Sequence, residues 1–279
     1  MEFQIKILNR AGIVMAESSG EDGCSLIYEE AYLSGDQIVI DTTEDNIFVR
    51  LRIDDGMDEG IVYMKEKHFV YEIPFREKRE SYPVKAFTGN MHVVSIQLAE
   101  DYEVKAYRNL SFNSADQHQN MGMYPHAHAN VETRGESVFA ARNAIDGYVL
   151  NGSHGVWPYE SWGINMQDDA WLTVDFGREV NTDCVVLYTR ADFPHDNWWK
   201  QVTLVFSDGS ELVWNMEKSS KRHVLRFQQK TITWIRMERL IKSEEASPFP
   251  ALSQIEVYGI DQLNMFAGNT DNCFLVDTY

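Results

Sequence analysis

Apolar and polar residues alternate with period two along most of the chain. Phe3-Gln4-Ile5-Lys6-Ile7, Ile47-Phe48-Val49-Arg50-Leu51-Arg52-Ile53 and His92-Val93-Val94-Ser95-Ile96-Gln97-Leu98 each place their apolar side chains on one face of an extended strand. Turn signals fall between them: Glu21-Asp22-Gly23, Ser34-Gly35-Asp36, Asp54-Asp55-Gly56 and Thr88-Gly89-Asn90. Short strands at this spacing predict an antiparallel sandwich or barrel. The second half continues the pattern through Trp171–Phe176, Val185–Tyr188, Val202–Phe206, Ile232–Met237 and Ile255–Gly259, with a hairpin signal at Ser207-Asp208-Gly209-Ser210. One short helical turn is expected from Val138 to Asn143. The fold class is therefore all-β, two β-sandwich (jelly-roll-like) domains. The stretch Asp54 to Gly60 resembles a calcium loop, but it lacks the ligand order and closing Glu of an EF-hand and is read as a solvated hairpin turn.

The tryptophans locate a seam. All seven stand at or after Trp157, and the polar stretch Ser111 to Met123 separates the two halves. The expected organisation is an N-terminal sandwich over 1–112 without a motif that names its role, a linker over 113–123, a second domain over 124–260 and a tail over 261–279.

Composition narrows the partners. The 279 residues are 44% hydrophobic and 12% aromatic, which is enough for one large or two medium domains with real cores and excludes a disordered chain. Set against 25 basic residues are 43 acidic ones, a net charge of −18. Nucleic-acid binding needs a basic face that displaces counterions, so no nucleic acid is expected, and an anionic membrane surface is disfavoured for the same reason. No apolar run reaches the ~18 residues of a membrane span. The opening MEFQIKILNR has no apolar signal core, so a cytoplasmic location is the expectation, or an extracellular one if an export signal has been trimmed. Cys24, Cys184 and Cys273 are widely spaced and form no disulfide framework or zinc motif.

Four segments then occur in a telling order: Asn143-Ala144-Ile145-Asp146-Gly147, Leu172-Thr173-Val174-Asp175-Phe176-Gly177, Phe206-Ser207-Asp208-Gly209 and Leu252-Ser253-Gln254-Ile255-Glu256-Val257-Tyr258-Gly259. Together they resemble the discoidin, or coagulation-factor C-type, domain of the galactose-binding-like superfold, with family-32 carbohydrate-binding modules as its nearest form. The resemblance covers about half the chain. It implies an eight-stranded jelly roll with ligand loops at one end and a structural calcium beside the Asp-Gly loop. The implied ligands are the Asn143, Tyr148 and Ser253 carbonyls, the Asp146 carboxylate and the Gln254 side chain. Gln254 stands where the family usually has Glu, which lowers the charge of the site. The loop after Gly147 is longer than usual and leaves Glu160 or Ser161 to replace the family's hydroxyl ligand. Without a cation, Asp146 would simply cap a tight turn.

Galactose-preferring relatives use His-x-x-Trp, an Arg, an Asn seven residues later and an aromatic before the closing strand. The resemblance carries these roles to His154, Trp157, Arg190, Asn197 and Phe249, with Trp198 adjoining. Sugar binding calls for an aromatic face against the pyranose C–H groups and fixed polar groups for its hydroxyls. Structural alternatives stand beside each role. Either Trp157 or Trp162 is the core tryptophan, one of Trp198 and Trp199 must point inward, and Arg190 could pair with Asp192 or Asp196 at the surface.

The implied function is non-catalytic recognition of a galactose-like hexose. Single-site affinity would be weak, which makes multivalency through a homo-oligomer the physical expectation. The alternatives are a protein-interaction module that has lost sugar binding, and a sugar-active enzyme with a site between the domains. His126 and His128 share one strand face, where His154 and His195 could converge with them, but a hydrogen-bonded surface pair is the expectation. No HExxH, G-x-S-x-G, P-loop or GxGxxG motif is present, and no catalytic residue is assigned.

Overall fold

The structure, a computed structural model, describes residues 1–118, 122–192 and 197–262. His195, Asp196, Cys273 and the tail beyond 262 lie outside the described residues. The chain is almost entirely β, with short 3₁₀ turns and one four-residue α-helix at Asp101–Val104.

The first half forms β1 (Glu2–Leu8), β2 (Val14–Glu21), β3 (Gly23–Tyr28), β4 (Gln37–Thr42), β5 (Ile47–Arg52), β6 (Gly60–Met64), β7 (His68–Glu72) and β8 (His92–Leu98). One sheet has the order β2-β1-β4-β7. A second is built on β6-β5-β8-β3. The alternation predicted for Phe3–Ile7 is realised, since Phe3, Ile5 and Ile7 are fully buried while Gln4 and Lys6 are not. These residues share one core with Val49 and Leu51 of β5 and Val94 and Ile96 of β8. Two antiparallel sheets closing on one apolar layer make a β-sandwich.

The second half adds β9 (Arg108–Asn109), β10 (Met123–Tyr124), β11 (His126–Ala129), β12 (Trp162–Gly163), β13 (Leu172–Thr189), β14 (Trp199–Phe206), β15 (Glu211–Asn215), β16 (His223–Lys242) and β17 (Ala251–Asp261). Its sheet runs β12-β17-β13-β16-β14-β15, with β11 beside β13 and β9 beside β17. The long strand β13 serves two neighbourhoods: Leu172–Asp175 lies between β11 and β16, and Val180–Thr189 between β16 and β17. It turns between them at Gly177, whose φ of 68° and Tyr124 ring neighbour, 2.5 Å from any added Cβ, leave room only for glycine. The helical turn expected from Val138 to Asn143 appears as two 3₁₀ turns, Ser137–Phe139 and Ala141–Ala144. Trp162 proves to be the core tryptophan. It is fully buried, donates Nε1–H to the Val131 carbonyl at 2.9 Å and packs against Trp199, the inward member of its pair.

Three polar readings change with the fold. The 54–60 connection between β5 and β6 is not a solvated turn, because Asp54 and Met57 are buried, Asp54 beneath the start of β8. His126 is also buried rather than a surface residue, with Nδ1 at 2.7 Å from Asp116 Oδ1. Burial works against its charge, but the Asp116 carboxylate outweighs that and raises its pKa. His128, stacked on His126, is lowered by burial and by that neighbour.

The described part of the 113–123 stretch is packed between the two cores. Asn113 Nδ2 donates to the Pro125 carbonyl, Ala115 belongs to the first core, and Met123 pairs with Met64 of β6. Arg142 crosses the same region. Its guanidinium is buried over the Tyr82 ring and donates to the carbonyls of Asp116, Ser114 and Ser81 and to Asn143 Oδ1. Glu77 accepts the Ser137 N–H at 2.6 Å, and Glu80 accepts the Trp157 N–H at 2.7 Å.

Candidate functional site

Two sites converge on the loops between Asn143 and Trp162 and the entry to β17. The first is an oxygen cage. Asp146 follows the Ala141–Ala144 turn, and Gly147 beside it takes φ 98° with the Phe112 ring 2.8 Å from any added Cβ. Asp146 is buried; its Oδ1 accepts the Tyr148 N–H at 3.1 Å, and its Oδ2 lies 3.9 Å from Arg142 Nη1. Gln254 reaches over from β17, where its Oε1 accepts the Gly147 N–H at 3.2 Å. Ser253 is the extra residue of a bulge, since Tyr188 opposes Gln254 while Thr189 opposes Leu252. Bulges re-aim groups next to sites, and here one falls on an implied carbonyl ligand.

Glu160 completes the cage. Both its carboxylate oxygens, Asp146 Oδ2 and the Ser161 and Ser253 hydroxyls are buried and find no hydrogen-bond partner among the described residues. Burial pushes Glu160 up to about 7 and holds Asp146 well above the carboxylate range, the adjacent Glu160 charge adding to the latter. Two dry carboxylates with unfilled oxygens are the donor chemistry of a hard divalent cation. The residues present therefore fit calcium, with Glu160 restoring the charge that Gln254 lacks. Asn143 flanks this cage as a brace, its side chain donating to the Ser137 carbonyl at 2.8 Å.

The second site is a cavity of about 200 Å³ lined by Thr133, Arg134, Phe139, His154, Ser247 and Phe249, among others. It brings together His154 and Phe249, which stand far apart in sequence. Asn197 and Arg190 lie one hydrogen bond behind its wall. The Asn197 amide is fully buried and fastens the adjacent loop, donating to the Ser247 and Glu245 carbonyls and accepting from Ser243 Oγ and the Trp198 N–H. Arg190 is joined through its backbone N–H to the carbonyl of Ala251, a wall residue, at 3.0 Å.

Arg190 is buried rather than paired at the surface. Its Nη1 donates to the Tyr159 carbonyl at 2.5 Å, while Nε and Nη2 meet no acceptor among the described residues. Burial lowers its pKa to about 10. Trp157 and Trp198 are not lining residues of this cavity. Trp157 stands edge-on to Tyr148, at 5.5 Å between ring centroids. Trp198 is half-buried beside the Asn197 anchor.

Sequence patterns gave no sign of Arg134. It sits at φ 54° beside Gly135, pairs bidentately with Glu136 at 2.6 and 2.7 Å, and lines the cavity with an exposed cation. The only local signal is the Arg-Gly turn.

Residues 122–258 match the family model of a domain of unknown function, DUF7402. The match covers β10 to most of β17 and both candidate sites, and it leaves out β9. No curated protein matches the chain closely enough to count as a relative. Among solved structures, the chain is similar to chitosan-binding module 1 of a chitosanase/glucanase from Paenibacillus sp. IK-5, with 19% identity, TM-score 0.39 and coverage of 55% of this chain and all of that one. It is likewise similar to the lectin domain of lectinolysin complexed with Lewis B antigen, at 20% identity and TM-score 0.41, covering 54% of this chain and 96% of that one. A third is the family 32 module of NanJ from C. perfringens in complex with galactose, at 17% identity and TM-score 0.37, covering 47% and 91%.

Proposed function

We propose that the second sandwich is a non-catalytic carbohydrate-binding module that holds one hexose ring, galactose-like, in the cavity lined by His154, Phe249 and Arg134. The observation that carries this reading is the cavity itself. It gathers an aromatic ring, an imidazole and a guanidinium at the loop end of the sandwich, with Arg190 joined to its wall through the Ala251 carbonyl and, among the described residues, holding two buried donors without an acceptor. Phe249, about one third exposed at 36%, supplies the apolar face, and the polar groups meet hydroxyls. A volume of about 200 Å³ is below the ~300–1,000 Å³ of drug-sized pockets, so it suits a single ring and not an oligosaccharide's several. Asn197 is assigned the role of holding the 243–247 loop in place. Asp146, Glu160, Gln254 and the Asn143, Tyr148 and Ser253 carbonyls would hold calcium, which shapes the neighbouring loop and takes no part in contacting the sugar.

The test is a binding screen of the full chain against galactose, Lewis B and chitosan oligosaccharides. Phe249→Ala and Arg134→Ala are each expected to weaken binding about tenfold, the effect of losing ~1.4 kcal/mol of contact. Arg190→Ala should abolish it. Silence across the panel from protein shown folded by its thermal transition would defeat the proposal and favour a docking role.

A further inference from the structure

The first sandwich carries a cluster that the proposed sugar site does not use. Asp54 and Asp55 follow β5, and His92 opens β8, the strand hydrogen-bonded to β5. One ligand-competent atom from each of the three lies within 4.8 Å of the other two. Asp54 and His92 are both 99% buried, at 1% exposure, while Asp55 is exposed and opens the cluster to solvent. Among the described residues, no lysine or arginine forms an ion pair with either carboxylate.

Among the described residues, the His92–Asp54 spacing is wider than in the two other histidine–aspartate pairs and close to the 3.3 Å between His118 Nδ1 and Glu132. His68 and His126 approach their aspartates at 2.6 and 2.7 Å, the length of a charge-assisted hydrogen bond. His92 Nδ1 and Asp54 Oδ2 stand 3.2 Å apart. Two ligands each about 2.0–2.1 Å from a tetrahedral zinc are separated by roughly 3.3 Å, so this gap matches one edge of a zinc site. Each carboxylate is already steered by a backbone donor: Gly56 N–H to Asp54 Oδ1 at 2.8 Å, and Val93 N–H to Asp55 Oδ1 at 3.3 Å. Asp54 Oδ2 then faces His92 Nδ1, and the second oxygen of Asp55 is left for a cation.

The surroundings of the cluster are dry and aromatic. His92 Nε2 and the Tyr32 hydroxyl are buried without a hydrogen-bond partner among the described residues, and their rings pack at 4.0 Å between centroids. Buried polar atoms are normally satisfied. The aromatic packing of Tyr28 and Tyr32 around His92 supplies the apolar shell common around metal sites.

We propose that Asp54, Asp55 and His92 form a zinc site in the N-terminal sandwich. An imidazole with two carboxylates suits a borderline divalent ion, whereas calcium and magnesium prefer oxygen alone. Zinc and two carboxylates together are electrically neutral, which removes the uncompensated charge from the sandwich edge.

The test titrates zinc into the full chain after chelator treatment, with calcium in excess so that the all-oxygen cage at Asp146 is occupied. One equivalent of zinc is expected to bind. Asp55→Asn, at an exposed position where the amide oxygen can still accept from Val93, should weaken it at least tenfold without changing the melting temperature of the metal-free protein. Asp146→Asn should leave zinc affinity unchanged. The assignment is overturned if no zinc binds, if Asp55→Asn binds as tightly as the parent, or if Asp146→Asn is the variant that loses the metal.

Discussion

Arg142→Met is expected to lower the unfolding free energy by about 3–5 kcal/mol, the largest single loss anticipated in this protein. The methionine keeps the aliphatic packing but removes every donor. The carbonyls of Asp116, Ser114 and Ser81 and Asn143 Oδ1 would then lose the guanidinium in a region that water does not reach. Each buried acceptor left unpaired costs about 1–3 kcal/mol. Loss of the contact with the Tyr82 ring, 4.3 Å from the guanidinium carbon, adds to this. Calorimetry should show a melting temperature lower by roughly 10 °C. A loss below about 1 kcal/mol would mean that the carbonyls find other donors.

The second large effect is a dependence on pH that calcium reverses. Glu160 is raised from 4.5 to about 7 in the folded protein, and Asp146 is raised with it. Between those two values the folded state binds more protons than the unfolded chain, so stability falls as pH rises. For Glu160 alone the loss is on the order of 3 kcal/mol at about 1.4 kcal/mol per pKa unit. Chelated protein should therefore melt at progressively lower temperature as pH rises from 4.5 through 7, the Glu160 contribution being complete just above that value. Calcium competes with those protons, so its stabilising shift should be small at pH 4.5 and largest above pH 7. His126, raised by Asp116, pushes in the same direction over part of this window. The difference between calcium and chelator curves, and its disappearance in Glu160→Gln, isolates the carboxylate pair. Equal curves at pH 8 would contradict the cage.

The strands were legible where one face is buried. Phe3–Ile7, Ile47–Ile53 and Trp171–Phe176 carry a period of two because their alternate residues enter a core. Strand β2, with Val14 and Met15 exposed and polar residues after them, has no such period and stayed invisible until its pairing with β1 was seen. The Asp-Gly loop and the closing strand were legible as motifs, and they led to Asp146 and Gln254. The burial of the 113–123 stretch was not legible, for a physical reason. Asn113, Ser114 and Asp116 look like solvated residues, yet each is buried because a particular distant group satisfies it. Such pairing leaves no periodic trace. Arg134 escaped for a related reason, since a cavity is assembled from loops whose proximity no local spacing encodes.

The chain crosses more than once between the sheets of its first half and the sheet of its second half before settling in the latter. Arg108 and Asn109 pair with Gly259 and Tyr258 at the edge of the second sheet, and Leu110 enters its core. Met123 and Tyr124 then return to pair with Met64 and Tyr63 of β6 in the first half. The similarity to DUF7402 begins at residue 122, after the strand that completes that edge. A recombination event at that point would carry away the recognisable motif and abandon a strand and a core leucine. Residues 122–258 moved alone would leave an open sheet edge and a gap in the core, so that segment needs the Arg108–Leu110 strand to close.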